Sequence, residues 1–130
     1  MVNQDCVRVL LLYLDRHFSP ADPRKQPKAL KLKSIVSQSP LDGYPAEEIY
    51  QAARYIVAME FVKVAAKKPH LVSHLAADEY IFTSITPTGL TVLSALREES
   101  DWKKLSAKLG NVFDAALPQI LAAAKDLFLG

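Results

Sequence analysis

The sequence predicts an α+β fold of the winged-helix type with a helical extension at its C-terminal end. An apolar stripe at helical spacing runs through residues 44–60, and the β-branched, alternating segment Phe61–Val64 follows it directly. A polar loop then leads to a second strand pattern, Tyr80–Ile85. A helix followed by two antiparallel strands and their loop is the arrangement by which a winged helix presents its recognition helix and wing.

Length and composition are those of one ordinary globular domain. The 130 residues are half apolar and 23% charged, so we expect a single domain over residues 1–130, with residues 111–130 as a C-terminal helix. The net charge of +2 generates no strong overall field. One cysteine excludes an intramolecular disulfide, and no signal peptide or membrane-length apolar run is evident. We therefore expect a cytoplasmic location and no membrane partner.

The N-terminal part predicts a helix, a loop and a strand. The helix covers Asn3 to His17, with Asn3 as its cap. Three prolines between Ser19 and Pro27 predict a loop. The alternation over 30–36 predicts a short edge strand with outward lysines, followed by a turn at 39–44. The buried stripe of the first helix is expected to be Cys6, Val7, Leu10, Leu11, Leu14 and Phe18.

The central helix is the most strongly patterned element. Pro45 suits its first turn, and Glu47 and Glu48 suit the positive end of its dipole. Its apolar face is expected to comprise Ile49, Ala52, Ala53, Ile56 and Val57.

The second half of the chain predicts a hairpin and three further helices. Pro69 breaks residues 65–79, which we interpret as a hairpin loop. Thr86 is expected to cap the next helix with Pro87 at its first position, and Ser100 or Asp101 to cap a short helix ended by Gly110. The apolar residues expected on these helices are Leu90, Leu93, Ala95 and Leu96, then Trp102, Leu105 and Leu109, then Phe113, Ala116, Leu117, Ile120, Leu121, Ala124, Leu127 and Phe128.

Residues 42–105, apart from the hairpin loop, resemble a known family. A threonine, a glycine three residues later, a leucine-bearing helix and a following tryptophan form the main motif, here Thr86, Gly89, Leu93, Leu96 and Trp102. Asp42–Tyr44, Glu47–Ile49 and Phe61–Val62 also match. The pattern is similar to that of uncharacterised winged-helix proteins of bacteria and their phages, the YjcQ-like proteins. The resemblance implies the fold and no particular reaction or ligand. The chain departs from it in its proline-rich loop and at Pro118.

Two sets of residues are candidates for contact with nucleic acid. On the outer face of the central helix, Gln51 and Arg54 could reach base edges, with Tyr55 beside them. Lys63, Lys67 and Lys68 at the wing could hold phosphates, helped by Arg24, Lys25, Lys28, Lys31 and Lys33. Against this, residues 44–60 contain three glutamates and one arginine, and the predicted strand leaves no helix before the central one. Equally, these lysines could protect an edge strand and solubilise a hairpin.

Other polar residues do not predict catalysis or a bound metal. His70 and His74 have i, i+4 spacing, but Pro69 and the hairpin favour a solvated loop. Cys6 belongs to an apolar stripe, which favours a core role. Because no nucleophile elbow or phosphate-binding glycine loop is present, we expect no enzyme activity, cofactor or metal.

Two functions from different classes remain open at this point. The first is a nucleic-acid-binding or transcription-regulatory module whose partner is double-stranded DNA. The alternative is a protein-interaction adaptor that uses the winged-helix scaffold without DNA. The apolar first and last helices also predict a homodimer through those two helices.

Overall fold

The computed structural model describes residues 3–18, 24, 29–65, 76, 79–109 and 122. They form an α+β structure that is mostly helical, with one three-stranded antiparallel sheet. The elements are α1 (Gln4–Phe18), β1 (Leu30–Lys31), α2 (Leu32–Ile35), α3 (Ala46–Ala58), β2 (Val62–Val64), β3 (Ile81–Ile85), α4 (Pro87–Leu96) and α5 (Glu99–Leu109). Among these residues, no helix has the length and apolarity needed to cross a membrane.

The first helix is capped and buried as predicted. The Asn3 side-chain oxygen accepts hydrogen bonds from the backbone N–H groups of Asp5 and Cys6, at 3.1 and 3.2 Å. All six residues of the expected stripe are buried, and Tyr13 is buried with them. Because α1 packs against α3, its stripe and that of α3 form the centre of the core.

The predicted edge strand over residues 30–36 is wrong for most of its length. Only Leu30 and Lys31 form β1, and the chain then turns into the single helical turn α2. The physical reason is burial: Leu32 and Ile35 are buried and Val36 is half-buried, which is i, i+3, i+4 spacing. Alternation of apolar residues and lysines therefore coincided with a helical face. A 3₁₀ turn, Leu41–Gly43, then leads to α3.

The apolar face of α3 follows the prediction, while its start differs by one residue. Ile49, Ala52, Ala53 and Ile56 are buried, and Val57 is half-buried. Pro45 is the N-cap with ψ of 140°, and its carbonyl accepts from the Glu48 and Ile49 N–H groups. It therefore lies just before the first turn of the helix.

The sheet has the order β1-β3-β2, with β3 in the centre. Leu30 pairs with Phe82 on one side of β3, and Val62 pairs with Ile85 on the other. An irregularity between Lys63 and Val64 shifts the register of β2. The buried residues Phe61, Val62 and Phe82 place one face of this sheet against the helical core.

Two details of α4 and α5 differ from prediction. Leu90 was expected on the apolar side of α4, but its exposed fraction is 44%, and Val92 is buried there instead. Helix α5 begins at Glu99, so Ser100 and Asp101 lie within its first turn and do not cap it. Trp102 and Leu105 are buried as expected.

Several predicted features lie outside the described residues. These are most of the proline-rich loop, most of the hairpin loop with His70 and His74, Gly110, and the last helix over residues 111–130, of which only residue 122 is described, as helical.

Candidate nucleic-acid interface

Helix α3 presents one continuous exposed stripe. Glu47, Gln51, Arg54 and Ala58 are all exposed, and their spacing of four, three and four residues places them on one side of the helix. The opposite side is the buried face that packs on α1. The structure therefore presents Gln51 and Arg54 together to solvent, as the sequence predicted.

Tyr55 lies differently from these two residues. It is half-buried, and its ring meets that of the buried Phe61 edge-on, with ring centroids 6.1 Å apart. Tyr55 was expected on the outer face of the helix with Gln51 and Arg54. In the fold, the aromatic ring instead covers the corner between α3 and β2.

Only one of the three glutamates near α3 lies on its exposed stripe. Glu48 is half-buried and accepts a 3.1 Å hydrogen bond from the Asn3 side-chain amide at the start of α1. Glu60 lies beyond the end of α3, at a positive φ of 60°. Only Glu47 belongs to the stripe, while Glu60 is exposed beyond the end of the helix.

The described basic side chains lie on several elements around the sheet. Lys31 on β1 and Lys63 on β2 are exposed on the strands that flank β3, and Lys33 is exposed on α2. Arg24 is also exposed. Lys67 and Lys68, like Lys25 and Lys28, lie outside the described residues.

The charge of Arg54, which faces solvent, also affects a residue just before the central strand of the sheet. Burial raises the pKa of the Tyr80 hydroxyl, and the positive charge of Arg54 opposes that rise. Tyr80 immediately precedes β3, so the Arg54 charge acts at the start of the returning strand. Arg54 therefore lies near enough to Tyr80 for its charge to affect that hydroxyl.

Sequence reasoning missed α2, the single helical turn that precedes α3 in the chain. The spacing of Leu32, Ile35 and Val36 was the available signal, but strand alternation fits the same residues. One turn of helix therefore precedes α3 where the sequence predicted a strand.

Cys6 has the properties of a core residue. Its exposed fraction is zero, and burial, helped by the negative charge of Glu48, raises its thiol pKa from 9.0 to about 11. A buried thiol with so high a pKa stays protonated and is a poor nucleophile. Among the described residues, no group of three His, Cys, Asp or Glu side chains could hold a metal ion.

A cleft of about 460 Å³ separates the N-terminal half of α1 from α5. Two acids, Asp5 and Glu99, and two bases, Arg8 and Lys103, line it, so its formal charge is balanced. At one wall, the Trp102 indole N–H donates to the Asp5 carboxylate at 3.1 Å, and the Arg8 guanidinium lies 5.7 Å from the Trp102 ring. These contacts agree with Trp102 as an anchor between helices.

Comparison of the chain with protein-family models, curated proteins and solved structures gave no match in any of the three searches. The resemblance of residues 42–105 to the YjcQ-like proteins thus stays a prediction.

Proposed function

We propose that this chain is a winged-helix module that binds double-stranded DNA and regulates transcription. The observation that supports this most is the order of elements, α1-β1-α2-α3-β2-β3, combined with the strand order β1-β3-β2. This topology leaves one helix, α3, with an exposed polar stripe directly before the antiparallel hairpin.

In this proposal α3 enters the major groove. The groove is about 12 Å wide and admits one α-helix. Gln51 can pair with adenine and Arg54 with guanine through bidentate hydrogen bonds. Glu47 lies earlier on the same stripe. Its carboxylate can accept a hydrogen bond from the amino group of cytosine, and it repels a phosphate that approaches closely. The stripe thus favours base contacts along its centre.

The backbone contacts come from the sheet and its hairpin. Lys63 on β2 is exposed, and Lys67 and Lys68 follow it in the chain. Lys31 and Lys33 provide a second set of cations on β1 and α2. Because the net charge is only +2, the affinity depends on these few local cations, and the slope of its logarithm against that of the salt concentration reports how many phosphates they neutralise.

The test is fluorescence anisotropy with a labelled duplex at about 50 and 200 mM salt. The triple variant Lys63→Ala, Lys67→Ala, Lys68→Ala should weaken binding to every duplex and reduce the logarithmic salt slope by about 0.9 for each phosphate that the protein no longer neutralises. The matched control is Lys104→Ala, which removes one exposed lysine from α5. It should leave both quantities unchanged.

A second pair of variants separates base reading from charge. Arg54→Lys keeps the positive charge but cannot form the bidentate contact, and Gln51→Ala removes the amide. Each variant should lose about 1–3 kcal/mol of binding free energy for the preferred duplex and little for an unrelated duplex. An equal loss on all duplexes would refute base reading by α3, and no binding by the wild-type chain at low salt would refute the function.

The alternative is a protein-interaction adaptor built on the same scaffold, without catalytic activity. One observation favours it: Leu90 on α4 is the exposed large apolar side chain of the described residues. An exposed leucine can form the apolar centre of a small protein contact. If DNA binding fails, a photo-crosslinking residue at position 90 should yield a discrete adduct in cells, and one at position 104 should not.

A further inference from the structure

The corner between α3 and β2 is held by the start of another helix. Helix α3 ends with the Phe61 N–H bonded to the Ile56 carbonyl and the Glu60 N–H bonded to the Val57 carbonyl, at 2.9 and 3.0 Å. This pair of bonds is a Schellman ending, which needs a left-handed residue and favours glycine there. In this chain the residue is Glu60, at a φ of 60°.

Thr86 makes three bonds at this corner. Its hydroxyl donates to the Glu60 carbonyl at 2.6 Å and accepts from the Gly89 N–H at 3.0 Å. Its own backbone N–H donates to the Phe61 carbonyl at 3.0 Å. One side chain therefore caps α4 and also ties α4 to the last turn of α3. A cap by itself requires only the acceptor function.

Gly89 brings the two backbones into direct contact. A Cβ atom at this position would overlap the Phe61 carbonyl oxygen and lie 2.8 Å from a methyl carbon of Ile85. Only a residue without a side chain permits this approach.

The far end of α4 is fixed as well. The Arg8 side chain on α1 donates to the Leu96 and Arg97 carbonyls at 2.8 and 3.2 Å. Arg97 also contacts Asp15 on α1 at 3.1 Å. Helix α4 is therefore anchored to α1 at its end while its start holds the corner, so both ends of the helix are fixed to other elements.

We infer that Thr86 and Gly89 are positioning residues that set the direction of α3 relative to the β2–β3 hairpin. This inference rests on the proposed function. The direction of α3 determines whether its stripe and the lysines of the hairpin contact the same duplex at the same time. Neither residue touches DNA. Two surfaces that are held in one relative orientation bind a single ligand together without the entropy cost of ordering them on binding.

The experiment separates the two roles of the Thr86 hydroxyl. Thr86→Asp keeps an acceptor for the Gly89 N–H but, as an ionised carboxylate, cannot donate to the Glu60 carbonyl. Thr86→Ser keeps both functions. Thr88→Asp is the charge-matched control, because it adds the same charge at an exposed position in the first turn of α4. If Thr86→Asp does not fold, Thr86→Gly takes its place, since glycine is tolerated as a cap and has no donor.

The direct readout is the distance between spin labels at Ala46→Cys on α3 and Ala65→Cys after β2, two exposed positions outside the proposed contacts. Cys6 stays in place because it is fully buried. Thr86→Asp should broaden or shift the distance distribution, and Thr86→Ser and Thr88→Asp should reproduce that of the wild type. Unchanged distances in Thr86→Asp would overturn the inference, whatever the DNA result.

DNA affinity, measured on the unlabelled variants, provides the second readout. Relative to Thr88→Asp, Thr86→Asp should bind the duplex about threefold to tenfold more weakly, the effect of removing one hydrogen bond. Equal affinities with altered distances would overturn the positioning role. If the wild-type chain binds no duplex, the proposed function fails, and the distances alone decide whether Thr86 holds the corner.

Discussion

The substitution Gly89→Ala should destabilise this protein, although replacing a glycine by alanine inside a helix ordinarily increases stability. Gly89 lies in the first turn of α4, where the higher helix propensity of alanine is worth about 1 kcal/mol. The added Cβ would overlap the Phe61 carbonyl oxygen, with the Phe61 carbonyl carbon at 2.9 Å. That oxygen cannot rotate away as a side chain could, because it accepts the Thr86 N–H.

We take the upper end of the usual overpacking cost, about 3 kcal/mol, because the overlapped atom belongs to the backbone. Subtracting the propensity gain leaves a net loss of about 2 kcal/mol in the free energy of unfolding. For a chain of this length the corresponding decrease in Tm is about 7 °C.

Urea unfolding followed by circular dichroism measures this difference, and the chain offers a matched control. At Gly43 no atom lies within 4 Å of the place that a Cβ would occupy, so Gly43→Ala should leave stability unchanged or raise it by up to about 1 kcal/mol. If Gly89→Ala unfolds at or above the wild-type midpoint, the close approach of α4 to the α3–β2 corner is incorrect.

Three further predictions concern the core, the thiol and assembly. Ile56→Ala should lower the free energy of unfolding by about 2–5 kcal/mol, because Ile56 is fully buried; an unchanged urea midpoint would contradict its place in the core. Since the Cys6 thiol pKa is raised from 9.0 to about 11, the folded state favours the neutral thiol, and its contribution to stability should be full below pH 9 and decline towards pH 11. Urea midpoints should decline less across that range in Cys6→Ala than in the wild type, with the raised tyrosine pKa values accounting for the remaining decline. A homodimer through the first and last helices should give twice the 14.4 kDa chain mass by light scattering, and Leu121→Glu should give a monomer; a monomeric wild type at high micromolar concentration would refute the pairing.

Local patterns predicted most of the described helices because their information lies within a few residues. Asn3 and Thr86 act as caps as expected, and the spacing of the buried α1 and α3 residues matches one turn of helix. The two hairpin strands were also identified, to within one residue at their first positions. These features depend on backbone geometry and on side-chain periodicity, which a short window contains.

The candidate site was only partly predictable. Gln51 and Arg54 are exposed as their helical phase indicates, whereas Tyr55 at the edge of that face covers Phe61. Three glutamates in residues 44–60 were an argument against DNA binding. The sequence does not show that one of them, Glu48, bonds to Asn3, 45 residues away. Whether a charge faces a ligand or a distant helix depends on packing.

The sequence by itself determined the caps Asn3 and Thr86, the apolar faces of α1 and α3, the hairpin strands and the burial of Cys6. Tertiary structure decided that residues 32–35 form a helix, because burial of Leu32 and Ile35 on one side outweighs an alternation that fits a strand equally well. It also decided the second role of Thr86. A cap is readable from neighbouring residues, but the bond to the Glu60 carbonyl joins positions 26 residues apart, and only the folded chain brings them together.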